Sequence, residues 1–185
     1  MNNREHSEQL LAQYMETENL LKHSRMVAHA MESYARELDK PAEEIEKWWT
    51  AGLLHDLDWE KYPDEHPNKA IKEILPEAGY PEEVIEAVRA HAPERTEKDP
   101  ETEIERYLYA CDELSGFMNA VALMRPNGFA DMKVKSVKKK LKDKSFAEAV
   151  PRDQIWNGAE LIGKDLGEHI QFMIDAFKEF EKKQG

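Results

Sequence analysis

Apolar positions along the chain recur at three- and four-residue spacings, with almost no two-residue alternation, so the pattern predicts helices and no sheet. Prolines stand where several of those helices would begin. From Thr17, a candidate N-cap, a first stripe runs through Leu20, Val27, Met31, Tyr34 and Leu38, and His23 lies at its edge one turn before Val27. Pro41 suits the first turn of a second helix, with Glu43, Glu44 and Glu46 near its positive end. That helix turns apolar through Trp48, Trp49, Leu53 and Leu54 and ends on His55-Asp56, after which residues 57–66 read as loop. Pro67 opens a short helix through Ile71, Ile74 and Leu75 that Gly79 can end. Pro81 begins another, carrying Val84, Ile85 and Val88 to His91, and Pro93 and Pro100 bracket a charged connection.

From about Thr102, the residues Ile104, Tyr107, Cys111, Leu114, Met118 and Val121 form one buried face, with Asp112 on its flank. Pro126-Asn127-Gly128 is a turn. Lys133 to Lys142 is an amphipathic helix with Val134, Val137 and Leu141 inward. Pro151 then begins one long closing helix whose face runs Ile155, Ala159, Ile162, Leu166, Ile170, Met173, Phe177 and Phe180. No repeat or linker interrupts the chain. The expected architecture is all-α, a single compact helical bundle over 1–185: a core over about 17–125, with the lysine-rich helix and long C-terminal helix of 130–185 packed on it.

A chain of 185 residues can bury a sufficient core without disulfides or a structural metal. The lone cysteine, Cys111, excludes an intramolecular disulfide and, on a buried stripe, reads as core. The first residues lack the apolar stretch of a signal peptide, and no run of about 18 apolar residues is present, so the expected location is cytoplasmic, with no membrane partner. A net charge of −12 repels nucleic acid. The charge is segregated, however: Met132 to Lys144 carries seven lysines against Asp143, a segment of +6 that leaves −18 on the rest.

Polar residues at the edges of these apolar faces carry the candidate chemistry. His55-Asp56 places an imidazole beside a carboxylate, but about 0.4 such pairs are expected by chance in a chain of this composition. Its weight comes from His23, His91 and Asp112, which flank separate helical faces, and from His66 in the intervening loop. A bundle places inward-facing ligands in that way, and mixed imidazole and carboxylate ligands favour Mn, Fe, Co, Ni or Zn over calcium.

The order of these residues, His23, then His55-Asp56 32 residues on, then Asp112 another 56 on, resembles the H…HD…D signature of the HD-domain superfamily of metal-dependent phosphohydrolases. The likeness covers roughly Leu20 to Ser115. It extends to a group of small HD hydrolases with no assigned substrate, through His55-Asp56-Leu57-Asp58, Pro63-Asp64-Glu65-His66, Cys111-Asp112-Glu113-Leu114-Ser115-Gly116-Phe117 and Val134-Lys135-Ser136-Val137-Lys138-Lys139-Lys140. The resemblance implies that His23, His55, Asp56 and Asp112 hold a divalent metal ion (Mn, Fe, Co, Ni, Zn or Mg), with His66 and His91 at the positions of second-metal histidines. His91 is followed by Ala92 where many members have another histidine, so His66 and His91 are alternatively phosphate contacts or proton carriers.

The implied reaction is hydrolysis of a small phosphate ester, a nucleotide or related phosphomonoester, by metal-activated water. Asp58 or Glu113 would orient the water or hold a histidine tautomer. Arg125, Lys135, Lys138 and Lys139 would attract the small anionic phosphorylated substrate, and Trp59 and Tyr62 are candidates to stack on a base. The alternatives are a metal-retaining nucleotide sensor without turnover and a phosphodiesterase acting on cyclic nucleotides.

Overall fold

The computed structural model describes residues 4–184, and among them there is no strand. Helices α1 (Arg4–Tyr14), α2 (Glu18–Glu37) and α3 (Ala42–Leu54) lead to a turn-rich segment. A π-helical turn (Ala70–Ile74) then runs into α4 (Leu75–Glu77), and α5 (Glu82–Ala90) and α6 (Pro93–Thr96) follow. The second half comprises α7 (Glu103–Leu123), α8 (Val134–Leu141), α9 (Arg152–Leu161) and α10 (Leu166–Gln184). No helix of the described residues is long and apolar enough to cross a membrane.

Two apolar clusters form. The larger gathers Met26, Val27 and Tyr34 of α2, Leu108 and Phe117 of α7, and Met173 and Phe177 of α10. The smaller joins Leu10 and Leu11 of α1 to Trp49 and Leu53 of α3, to Ile71 and Leu75, and to Ile85 and Val88 of α5. Helices α2, α3 and α5 feed both clusters through neighbouring residues: Val27 and Ala28, Trp48 and Trp49, Val84 and Ile85. These three helices therefore lie along the seam, and their ends are fixed from both sides. Gly52 allows the closest approach among them, because a Cβ there would stand 2.7 Å from the Cα of Ala28. Any larger residue would push α2 and α3 apart three residues before His55.

Several local features differ from the sequence expectation. Helix α1 was not predicted. Its buried side is only Ser7, Leu10 and Leu11, too narrow to stand out, and it is docked by Arg4, whose guanidinium donates to Glu46 and Glu32. Thr17 precedes α2, but its hydroxyl donates to Glu60 at 2.9 Å, and Glu60 also accepts the N–H groups of Glu16 and Thr17. The loop after α3 thus ties down the start of α2.

The single closing helix is corrected to two. Gly163 takes a positive φ of 66°, with Lys164 N–H bonded back to Ala159, and Asp165 then accepts from Gly167 N–H at the start of α10. The apolar spacing passes straight through this break because both helices pack on the same core. At the start of α7, the carboxylate of Glu105 accepts from the N–H groups of Glu101 and Thr102, which fixes the helix that carries Asp112.

Candidate metal centre

Four elements deliver the site. His23 comes from α2, His55-Asp56 from the end of α3, His91 from the end of α5 and Asp112 from α7, with His66 from the loop after α3. His55 Nε2 lies 3.3 Å from His23 Nε2, 3.2 Å from Asp56 Oδ2 and 3.2 Å from Asp112 Oδ1. His23 Nε2 lies 3.0 Å from Asp112 Oδ1 and 3.7 Å from Asp56 Oδ2. On the other side, Asp56 Oδ1 is 3.5 Å from His66 Nε2 and 3.6 Å from His91 Nε2. Two sets of ligand atoms result, His23 with His55, Asp56 and Asp112, and Asp56 with His66 and His91; within each set the atoms lie within 4.8 Å of one another. Asp56 belongs to both, one oxygen to each.

Three of the four histidines are held in the form a metal needs. His55 Nδ1 donates to the Gly52 carbonyl at 2.8 Å, and His91 Nδ1 donates to the Val88 carbonyl. His66 Nδ1 donates to Asp58 Oδ1 at 2.7 Å. In each ring the outer nitrogen is committed, so the neutral tautomer presents a lone pair on Nε2 toward Asp56. Asp58 is fully buried, and its second oxygen accepts from Ala70 N–H at 2.8 Å. It sits behind His66 and serves the imidazole, not the cavity.

The electrostatics suit a cation. Burial opposes charge on His55, but the carboxylates of Asp56 and Asp112 outweigh it and hold its pKa well above the ordinary 6.5. Burial alone would raise Asp56 and Asp112, yet the surrounding imidazoles, His55 foremost, hold both below the usual carboxylate range. Burial and the neighbouring Asp112 and Asp56 charges push Glu113 up to about 8. Such a cluster binds a proton or a metal, and the two compete for the same lone pairs.

A cavity of about 250 Å³ opens onto the site, walled by His23, Asp56, His66, His91 and Asp112 together with Trp59, Glu113, Ala92, Glu94, Arg95 and Gln154. All six histidines and aspartates proposed from the sequence as ligands or their neighbours, His23, His55, Asp56, His66, His91 and Asp112, are brought together, and Glu113 and Trp59 stand at the wall. Tyr62 is turned away, its ring 6.5 Å from that of Tyr14. Arg125, Lys135, Lys138 and Lys139 do not wall the cavity. Arg125 donates to Asp131, and Lys138 lies 3.9 Å from Asp165. Glu94, Arg95 and Gln154 were missed: the first two are in the charged connection after His91, and Gln154 lies on α9, far from any ligand in sequence.

A family model described as HD domain matches residues 20–116, just over half of the chain and all of the segment from His23 to Asp112. The chain belongs to the HD domain family. HD domains bind divalent metals and are for the most part metal-dependent phosphohydrolases, and the His/Asp groups of this HD domain are positioned to hold such an ion. The comparisons with curated proteins and with solved structures give no match. Helices α8, α9 and α10 lie beyond the matched HD segment, so Gln154 reaches the cavity from outside it.

Proposed function

We propose that this chain hydrolyses a small phosphate ester, a nucleotide or related phosphomonoester, with His23, His55, Asp56 and Asp112 holding the principal divalent metal. The observation that carries this reading is the placement of Asp56, whose two oxygens face two separate histidine groups at 3.2–3.7 Å. Asp56, His66 and His91 form the shorter second set, which suits a second ion or the phosphate itself. A divalent ion bound there supplies Lewis acidity toward a phosphoryl oxygen and acidifies water near neutral pH.

The chain's own groups do the rest. The carbonyls of Gly52 and Val88 and the carboxylate of Asp58 hold the proton of His55, His91 and His66 on Nδ1, keeping each Nε2 available. Glu113, which lines the cavity next in sequence to Asp112, would orient a water there. Lys135, Lys138, Lys139 and Arg125 stand off the cavity, so their proposed part is long-range attraction of an anionic substrate, which added salt would screen and so raise KM.

The test is a panel of nucleoside monophosphates, cyclic nucleotides and sugar phosphates assayed with Mn. Turnover of monoesters that is lost in Asp112→Ala supports the reading. Turnover restricted to cyclic nucleotides would make the protein a phosphodiesterase. Metal binding without turnover of any class would make it a sensor, and turnover that survives Asp112→Ala would place the chemistry elsewhere.

A further inference from the structure

The walls of the cavity are unevenly charged. Asp56, Glu94, Asp112 and Glu113 bring carboxyl groups to it, and Arg95 is the sole Lys or Arg among its lining residues. A phosphate ester entering this space leaves water carrying one or two negative charges beside these groups, which is costly without a cation to receive it. Arg95 stands with Trp59 on the loop side, away from the α7 carboxylates in sequence and mounted by different elements.

Its mounting is specific. Arg95 Nη1 donates to the carbonyl of Pro63 at 2.9 Å and to that of His66 at 3.0 Å, so the guanidinium is fastened to the loop that carries His66. Its central carbon lies 5.3 Å from the centroid of the Trp59 ring, within cation–π range. Trp59 in turn stands edge-on to His66, ring centroids 5.1 Å apart at 89°. Three groups therefore fix one guanidinium beside a ligand of the second histidine set. With Nη1 engaged, Nε and Nη2 have no partner among the described residues. Those two donors form the edge of a guanidinium that matches two oxygens of a phosphate.

We propose that Arg95 binds the phosphate of the substrate through its Nε–Nη2 edge, and that Trp59 is a positioning residue that holds this guanidinium in place. The assignment rests on the phosphohydrolase reading. It also separates two roles for positive charge: Arg95 makes the contact, and the lysines of α8 do not. One face of the Trp59 ring is taken by Arg95, which leaves the opposite face for a base.

The experiment is calorimetric titration of inorganic phosphate into the Mn-loaded protein, with metal content measured for every variant. Arg95→Gln should bind phosphate roughly 10- to 100-fold more weakly at unchanged metal content, the scale of a lost charge-assisted contact. Arg95→Lys keeps the charge but lacks the two-donor edge and should lose several-fold. Trp59→Leu should lose less than Arg95→Gln, and the combined change of Lys135, Lys138 and Lys139 to Gln should lose less still, about 2-fold, because those side chains act only through screened long-range attraction. If Arg95→Gln sheds its metal or does not fold, Arg95→Lys decides the matter alone. Wild-type affinity in either Arg95 variant, an equal loss in the lysine variant, or no phosphate binding by the Mn-loaded wild type would overturn the assignment. Because phosphate binding needs no turnover, a failed ester panel with an intact Arg95 effect sinks only the hydrolytic reading, and turnover with no Arg95 effect sinks only this one.

Discussion

His55, at the end of α3, and His169, in the first turn of α10, are both fully buried, yet they stand in opposite chemical settings. His169 commits both ring nitrogens to neutral partners: Nε2 donates to the Ala110 carbonyl at 2.9 Å, and Nδ1 accepts the Tyr34 hydroxyl at 2.6 Å. Burial lowers its pKa to about 4, so it is a neutral pin between α10, α2 and α7. His55 commits only Nδ1, to Gly52, and turns Nε2 toward two carboxylates and a second imidazole. Burial therefore does not mark a ligand. An uncommitted nitrogen facing anions does.

Opposite settings require opposite pH responses in the metal-free protein. The folded pKa of His169, about 4, lies below the ordinary 6.5, so the unfolded chain takes up the extra proton between those values. Stability then falls as pH is lowered through that window, by about 3 kcal/mol at most. Urea unfolding should show that His169→Gln flattens this acid limb. The folded pKa of His55 is raised above 6.5, so its contribution is complete below that value and is lost as pH climbs through the folded pKa. His55→Gln should flatten the alkaline limb instead. Both variants changing the same limb would erase the distinction.

The next effect concerns the groups behind each ring. Asp58→Asn removes the carboxylate that fixes the His66 tautomer, and metal affinity should fall roughly 10- to 100-fold in a competition titration. Smallest is Tyr34→Phe, which leaves His169 Nδ1 without its donor. It should lower stability by about 1–2 kcal/mol and leave metal affinity as it was. Equal perturbation of metal binding by the two variants would contradict the separation of site from core.

Much of this was legible in the sequence because helical stripes and ligand order are local signals. The stripe of α2 puts His23 at its edge, and the order His23, His55-Asp56, Asp112 identified the cluster that the fold assembles. The stripe alone would not have done so, since His169 adjoins a comparable stripe through Leu166, Ile170 and Met173 and is core. Helix α1 and the role of Glu60 were not legible, because each depends on partners more than 25 residues away: Arg4 on Glu32 and Glu46, Glu60 on Thr17. The break before α10 did have a signal, Gly163 followed by Asp165 and Glu168, which the continuous apolar spacing masked. Arg95 reads as one more charge between two prolines until the carbonyls of Pro63 and His66 hold it at the cavity.

If Asp56 organises the metal centre, cobalt binding depends on its carboxylate. Co(II) titrated into the metal-depleted protein, followed by its visible absorption, should give a bound spectrum in the wild type and in His169→Gln. In Asp56→Ala the tight-binding spectrum should be absent while the far-UV helical signal persists. Cobalt binding in Asp56→Ala equal to that of the wild type, or none in the wild type, would mean that Asp56 holds no metal.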